Sequence, residues 1–144
     1  MTDPLERSAH RAAVVAEAMS WLGTPYHTGA HVKGVGVDCA WLLIEVFAAT
    51  GLIEPFDPGY YPGDWHLHRG DEIYLEHVQS RAREVAEPEP GDMVLMRFGR
   101  AYSHGAIYIG GDQIVHAYLH RPVGIADLDE WPNRPRQFFT VFPT

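Results

Sequence analysis

Cys39 is the only cysteine in a chain of 144 residues, and nine histidines accompany it. A thiol and an imidazole that meet in space are the raw material of nucleophilic catalysis. The imidazole takes the thiol proton, and a further polar group orients the imidazole. Among the histidines, His104 and His116 stand out because each falls in a run that reads as a strand. The chemistry such a set would perform is attack of sulfur on a carbonyl. The bland alternative for Cys39 is a small buried hydrophobe, since free cysteine is among the most buried residue types. The bland alternative for either histidine alone is a half-buried residue of the sheet.

Cys39 must be positioned by what surrounds it. Gly34-Val35-Gly36-Val37-Asp38-Cys39 reads as a loop. The following run reads as a helix, with Leu42, Leu43, Val46 and Phe47 at helical spacing and Gly51 as its stop. Cys39 therefore sits at a helix N-terminus, where unpaired N–H groups and the helix dipole favour a thiolate. Tyr26 and Asp38 flank this loop. Each is readable as a contact for polar substrate groups, or as core packing for Tyr26 and a helix cap for Asp38.

The two histidines depend on one turn. His104 begins the run Gly105–Ile109, and His116 lies in the run Gln113–Tyr118, with Gly110-Gly111-Asp112 between. A three-residue loop would pair Tyr108 with Ile114 and Ala106 with His116. His104 and His116 would then share a face, diagonally across the ladder at roughly 7–8 Å between backbones. A two-residue loop would put them on opposite faces unless a bulge intervenes. A shared site therefore requires an odd loop or a bulge.

Other elements follow from local signals. Asp3-Pro4-Leu5-Glu6 predicts a helix start with cap and first-turn proline, running to about Leu22 before Gly23. A third helix is expected from about Asp71 to Arg83. Strands are expected at Met93–Phe98 and Phe138–Phe142. Helices first and an antiparallel sheet second describe one α+β domain, residues 1–144. Segment 54–70 is long and rich in Pro, Gly, aromatics and His. It carries Tyr60, Tyr61, Trp65, His66 and His68, and its expected role is docking or self-packing rather than substrate contact.

Composition sets outer bounds. The formal net charge is −8 and Lys33 is the single lysine, which opposes nucleic-acid binding. No run approaches the ~20 apolar residues of a membrane span. The N-terminus lacks a secretory leader pattern, so synthesis in the cytoplasm is expected. His66-x-His68 and His116-x-x-x-His120 have ligand-like spacing. The second pair begins in a strand, where that separation does not give one helical face, so no metal or other cofactor is expected.

Five motifs in order resemble those of NlpC/P60 cysteine peptidases: Leu22-Gly23-Thr24-Pro25-Tyr26, Val37-Asp38-Cys39, Pro90-Gly91-Asp92-Met93-Val94-Leu95, Ser103-His104-Gly105-Ala106-Ile107-Tyr108-Ile109-Gly110 and Ile114-Val115-His116-Ala117. The resemblance implies a papain-like fold with helices packed on a mostly antiparallel sheet. It implies hydrolysis of peptidoglycan stem peptides, commonly between γ-D-glutamate and diaminopimelate or lysine. Carried to this chain, it makes Cys39 the nucleophile, His104 the base and His116 the third polar residue. Tyr26, Asp38 and Ser103 become substrate-binding positions, and the Cys39 N–H an oxyanion donor. Trp65-His66-Leu67-His68-Arg69 resembles the branch found in phage tails and gene transfer agents, which implies tail or hub proteins as partners. Many members follow the cysteine with Ser-Gly, whereas this chain has Ala40-Trp41, so the packing around the nucleophile must differ. An inactive structural tail protein, or an acyltransferase or amidase on the same scaffold, are the alternatives.

Overall fold

The computed structural model describes residues 3–59, 73–98, 101–118 and 120–143. In chain order these form α1 (Pro4–Met19), β1 (His31–Val32), β2 (Gly36–Val37), α2 (Cys39–Ala49), α3 (Ile73–Gln79), β3 (Arg83–Val85), β4 (Met93–Phe98), β5 (Ala101–Gly110), β6 (Gln113–His116), β7 (Gly124–Asp127), a 3₁₀ turn (Leu128–Glu130) and β8 (Arg136–Thr140). The large sheet has strand order β3-β8-β4-β5-β6-β7, and every pairing in it is antiparallel. Helices on an antiparallel sheet make the α+β architecture that the element order predicts.

The helices form where local signals say they should. Asp3 Oδ1 accepts from Leu5 N at 3.1 Å and Pro4 opens α1. α1 ends at Met19, three residues before the expected stop, and Gly23 with φ +85° turns the chain beyond it. α2 buries Leu42, Leu43, Ile44, Val46 and Phe47. Phe47 and Leu42 meet Leu95, Ile107 and Val115 from the sheet in one apolar cluster, joined by Val14 and Ala18 of α1. Truncating Phe47 to Ala there would cost about 3–5 kcal/mol. The opposite sheet face carries Val94, Met96, Ala106, Tyr108 and Ile114, covered by Leu128.

Four expectations need correction. The third helix is short, and Arg83–Val85 leaves it to pair with β8 as an edge strand. β8 covers residues 136–140 rather than 138–142, because Arg136 and Gln137 pair with Met96 and Leu95 of β4. The run through Tyr118 stops as a strand at His116, the residue that pairs with Gly124. The Gly-rich stretch before Cys39 holds a two-stranded ribbon, β1–β2, closed by a turn at Gly34 with φ +81°. Gly36 in that ribbon is a close-approach glycine: a Cβ there would lie 3.1 Å from His27 Cβ and 3.2 Å from Ala30 Cβ.

Candidate active site

Cys39 is the first residue of α2, and Asp38 is its cap. Asp38 is 1% exposed. Its Oδ1 accepts from Trp41 N at 2.9 Å and its Oδ2 from Gly29 N at 2.6 Å. One carboxylate thus fixes both the helix start and the turn packed against it. Segment 25–27 runs beside β2, with His27 N donating to Val37 O and Val37 N to Pro25 O, both at 3.0 Å. This brings Tyr26 close to the helix start. Burial pushes the Tyr26 phenol well above its usual range, and negative charge at Cys39 and Asp38 adds to the shift. Tyr26 is therefore a neutral O–H group at neutral pH.

Trp41, the large residue two positions after Cys39, packs sideways. Its ring stacks on His31 of β1, with centroids 3.9 Å apart and planes at 16°. His31 Nδ1 lies 3.0 Å from Glu45 Oε1 on the next turn of α2. The ribbon thereby gives the Trp41 ring its place.

On the sheet side, two bulges shape β5. Against β6 the register steps from Tyr108↔Ile114 to Gly110↔Gln113, so Ile109 is the extra residue. The turn itself is two residues, Gly111 and Asp112, both with φ of 60° as a tight primed hairpin requires. The bulge supplies the odd count that a shared face demands, with the Tyr108–Ile114 pairing that a three-residue loop would have given. Against β4 the register steps from Met96↔His104 to Arg97↔Tyr102, so Ser103 is extra. Bulges of this kind re-aim neighbouring groups and are common beside active sites.

The outcome is a pair of touching imidazoles. His104 Nε2 lies 2.8 Å from His116 Nδ1, and both residues are buried. Burial, with help from the Arg121 charge, pushes His116 down to about 4. His116 is thus neutral at pH 7, and its Nδ1 can accept from a His104 that carries a proton on Nε2. Cys39 Sγ lies 3.6 Å from the Ser103 carbonyl oxygen, to which the thiol can donate. Ser103 is itself buried. The structure thus sets Cys39, Tyr26 and Asp38 at one helix start, His104 and His116 on one hairpin, and Ser103 where the two parts meet.

The model of the NlpC/P60 family matches residues 23–139. The chain belongs to the NlpC/P60 family. Curated relatives include the "Probable endopeptidase Rv2190c" of Mycobacterium tuberculosis, 30% identical over 120 residues that make up 83% of this chain and 26% of that protein. The "Murein DD-endopeptidase MepS/Murein LD-carboxypeptidase" of Escherichia coli is 26% identical over 126 residues, 86% of this chain and 59% of that protein. The chain therefore spans about a quarter of the first relative and less than two thirds of the second. Among solved structures, the peptidoglycan hydrolase RipB of Mycobacterium tuberculosis superposes with a TM-score of 0.68 at 19% identity, over 99% of this chain and 70% of that chain. That likeness establishes the NlpC/P60 fold.

Within this NlpC/P60 domain, three further residues surround the histidine pair, and one of them, Tyr118, is the residue that a three-residue loop would set opposite His104. Tyr118 meets the His104 ring edge-on at 5.5 Å and 86°. Trp131 packs against His116 at 5.4 Å and 74° and against Tyr118 at 5.9 Å. Arg121 sits 5.5 Å from the Tyr118 ring centre. Tyr118 was findable, since it lies two residues after His116 and alternate residues share a face. Trp131 had no local signal.

The metal-like spacings lead elsewhere. His120 is exposed in a turn with φ 67°, while His116 is buried against His104. His66 and His68 lie outside the described residues, as do Tyr60, Tyr61 and Trp65. Among the described residues no three His, Cys, Asp or Glu side chains cluster as metal ligands, and no helix is long and apolar enough to cross a membrane.

Proposed function

We propose that this domain is a cysteine peptidase acting on peptidoglycan stem peptides, with Cys39 as nucleophile, His104 as base and His116 as the residue that orients it. The observation that carries the proposal is the 2.8 Å contact between His104 Nε2 and neutral His116. With Nε2 committed to His116, proton exchange with the thiol falls to His104 Nδ1. The Cys39 thiol gives its proton to that nitrogen, and sulfur attacks the scissile carbonyl carbon. The Cys39 N–H at the start of α2 stabilises the oxyanion. Collapse breaks the C–N bond, and His104 returns the proton to the leaving amine. Water, deprotonated by His104, then hydrolyses the thioester and restores the thiol.

The Tyr26 hydroxyl is the donor offered to substrate on the other side of Cys39. Asp38 holds that wall, with its two oxygens on backbone N–H groups, and the Ser103 backbone completes the contact with the sulfur. The bond proposed is the D,L linkage between γ-D-glutamate and diaminopimelate or lysine, on the strength of the motif resemblance. On the same ground we place the domain in a phage or phage-like tail, made in the cytoplasm and carried to the wall by tail or hub proteins.

Digestion of purified peptidoglycan, with the released fragments identified by mass, tests the reaction and the bond together. The expected fragments end in γ-D-glutamate. Thiol alkylation should abolish their release and a chelator should not. Release that a chelator stops and an alkylator spares would overturn the cysteine mechanism in favour of a metal-dependent amidase. Detection of the protein in purified tail particles tests its placement there.

A further inference from the structure

A cleft of about 470 Å³ is lined by Arg97, Trp131, Pro132, Asn133, Arg134 and Pro135. Two routes connect it to the proposed chemistry. Trp131 forms part of its wall and packs directly on His116, which touches His104, so the wall lies within about 10 Å of the His104 ring. That is the length of about three extended residues. Arg97 is the cross-strand partner of Tyr102, the neighbour of Ser103, whose carbonyl meets the Cys39 sulfur.

The cleft is built rather than incidental. Arg136 donates to Trp131 O, to Leu128 O at 3.4 Å and, through Nε, to Arg134 O at 3.4 Å. Arg97 N donates to Pro135 O at 3.0 Å, and Arg134 N to Trp131 O at 3.2 Å. Arg134 Nη1 donates to Arg97 O at 3.3 Å. The turn from 131 to 135 is thereby fastened to the end of β4, and it carries two prolines that limit its freedom further. A preformed wall loses little entropy when a ligand arrives.

Its charge runs against the rest of the chain. The protein has 11 Lys and Arg against 19 Asp and Glu, yet two exposed arginines line this one cleft and a third holds its turn. Acidic residues lie nearby on the 3₁₀ turn, Asp129 and Glu130, but neither lines the cleft. Guanidinium forks select planar carboxylates, and the indole face of Trp131 offers apolar contact to the carbons that carry them.

We infer that this cleft is a specificity subsite that binds a carboxylate of the substrate peptide about three residues from the bond cleaved at Cys39. The inference rests on the peptidase reading and names the feature of the substrate that the site selects. Arg97 and Arg134 are its binding residues.

The test uses two synthetic stem pentapeptides, whose terminal residue is the third beyond the bond, that differ only in a carboxylate or a carboxamide at that residue. Their affinities are measured by calorimetry on the full chain carrying Cys39→Ala, which binds without cleaving. The carboxylate peptide should bind about 10- to 100-fold more tightly. Arg97→Gln and Arg134→Gln, each added separately, should shrink that preference. Arg97→Gln keeps the backbone oxygen that Arg134 uses, so it serves as the variant whose cleft stays assembled. Equal or undetectable binding of the two peptides, or a preference that survives both substitutions, would overturn the subsite. Cleavage is scored separately with Cys39 in place. A carboxylate preference without cleavage would leave the subsite standing and the peptidase reading fallen, and cleavage without preference would do the reverse.

Discussion

Two polar pairs packed against the same sheet are built on opposite principles. Arg11 of α1 meets Asp92 at the start of β4, with Nη1 2.9 Å from Oδ1. Arg11 also donates to Pro90 O at 3.1 Å and to Thr140 Oγ1 at 3.5 Å, and its guanidinium lies 4.3 Å from the Phe142 ring centre. Asp92 accepts from Glu89 N at 2.8 Å through its other oxygen. Both partners are full charges, and neighbouring groups satisfy them on several sides. His104 and His116 meet at a similar distance, and rings pack around them: Tyr118 against both, and Trp131 against His116. Burial is met there by holding His116 neutral. The first pair can only be made or broken. The second joins two imidazoles, side chains that can pass a proton. A saturated ion pair is a fastener, and a pair of imidazoles in an aromatic setting suits proton traffic.

The sharpest way to break the comparison is at the sulfur. Cys39→Ala should lower muropeptide cleavage by several powers of ten and leave the melting temperature nearly unchanged. Undiminished cleavage would end the cysteine mechanism. His104→Ala should cost about 10²–10⁴-fold in kcat/KM, the usual scale for loss of a positioned acid–base group. His116→Ala should cost less, because it removes orientation rather than proton transfer. Steady-state rates of the three variants give the ranking.

The fastener should fail in the opposite way. Arg11→Ala leaves Asp92 buried without its cation, at a cost of about 3–5 kcal/mol. Denaturant unfolding should show that loss, while the folded fraction keeps its cleavage rate at low temperature. An Arg11→Ala protein with full stability and lost activity would reverse the assignment of the two pairs.

Acid separates the pairs again. The folded pKa of His116 lies below the usual 6.5, at about 4. Between these values the unfolded chain takes up a proton that the folded chain refuses. His116 therefore destabilises the fold progressively as pH falls from 6.5 to about 4, by at most about 3 kcal/mol, and adds nothing further below that. His116→Gln should flatten this part of the stability profile, read as melting temperature against pH.

The smallest effect is expected at the exposed ion pair of Lys33 with Glu17, 2.8 Å apart, where the lysine side chain is 44% exposed. Lys33→Ala should change stability by about 0–1 kcal/mol and cleavage hardly at all. A large loss would mean that the β1–β2 ribbon needs this tether to keep Asp38 and Cys39 in place.

What the sequence determined by itself is local. Asp3-Pro4 opens α1 and Asp38 caps α2, because capping depends on a few adjacent residues. Gly51 with φ +77° follows the end of α2 for the same reason. The condition on the hairpin was also legible, since side chains alternate along a strand and an odd count is arithmetic. The sequence left open whether loop or bulge would supply that count, because a bulge depends on how both flanking strands pair. Only the tertiary structure made that choice, at Ile109 and again at Ser103. Only the tertiary structure set β3 against β8, Arg11 beside Asp92 across 81 positions, and Trp131 against His116. Such contacts join residues far apart in the chain, where neither propensity nor spacing carries a signal. They are fixed by the shared burial of both partners, which exists only once the sheet is assembled.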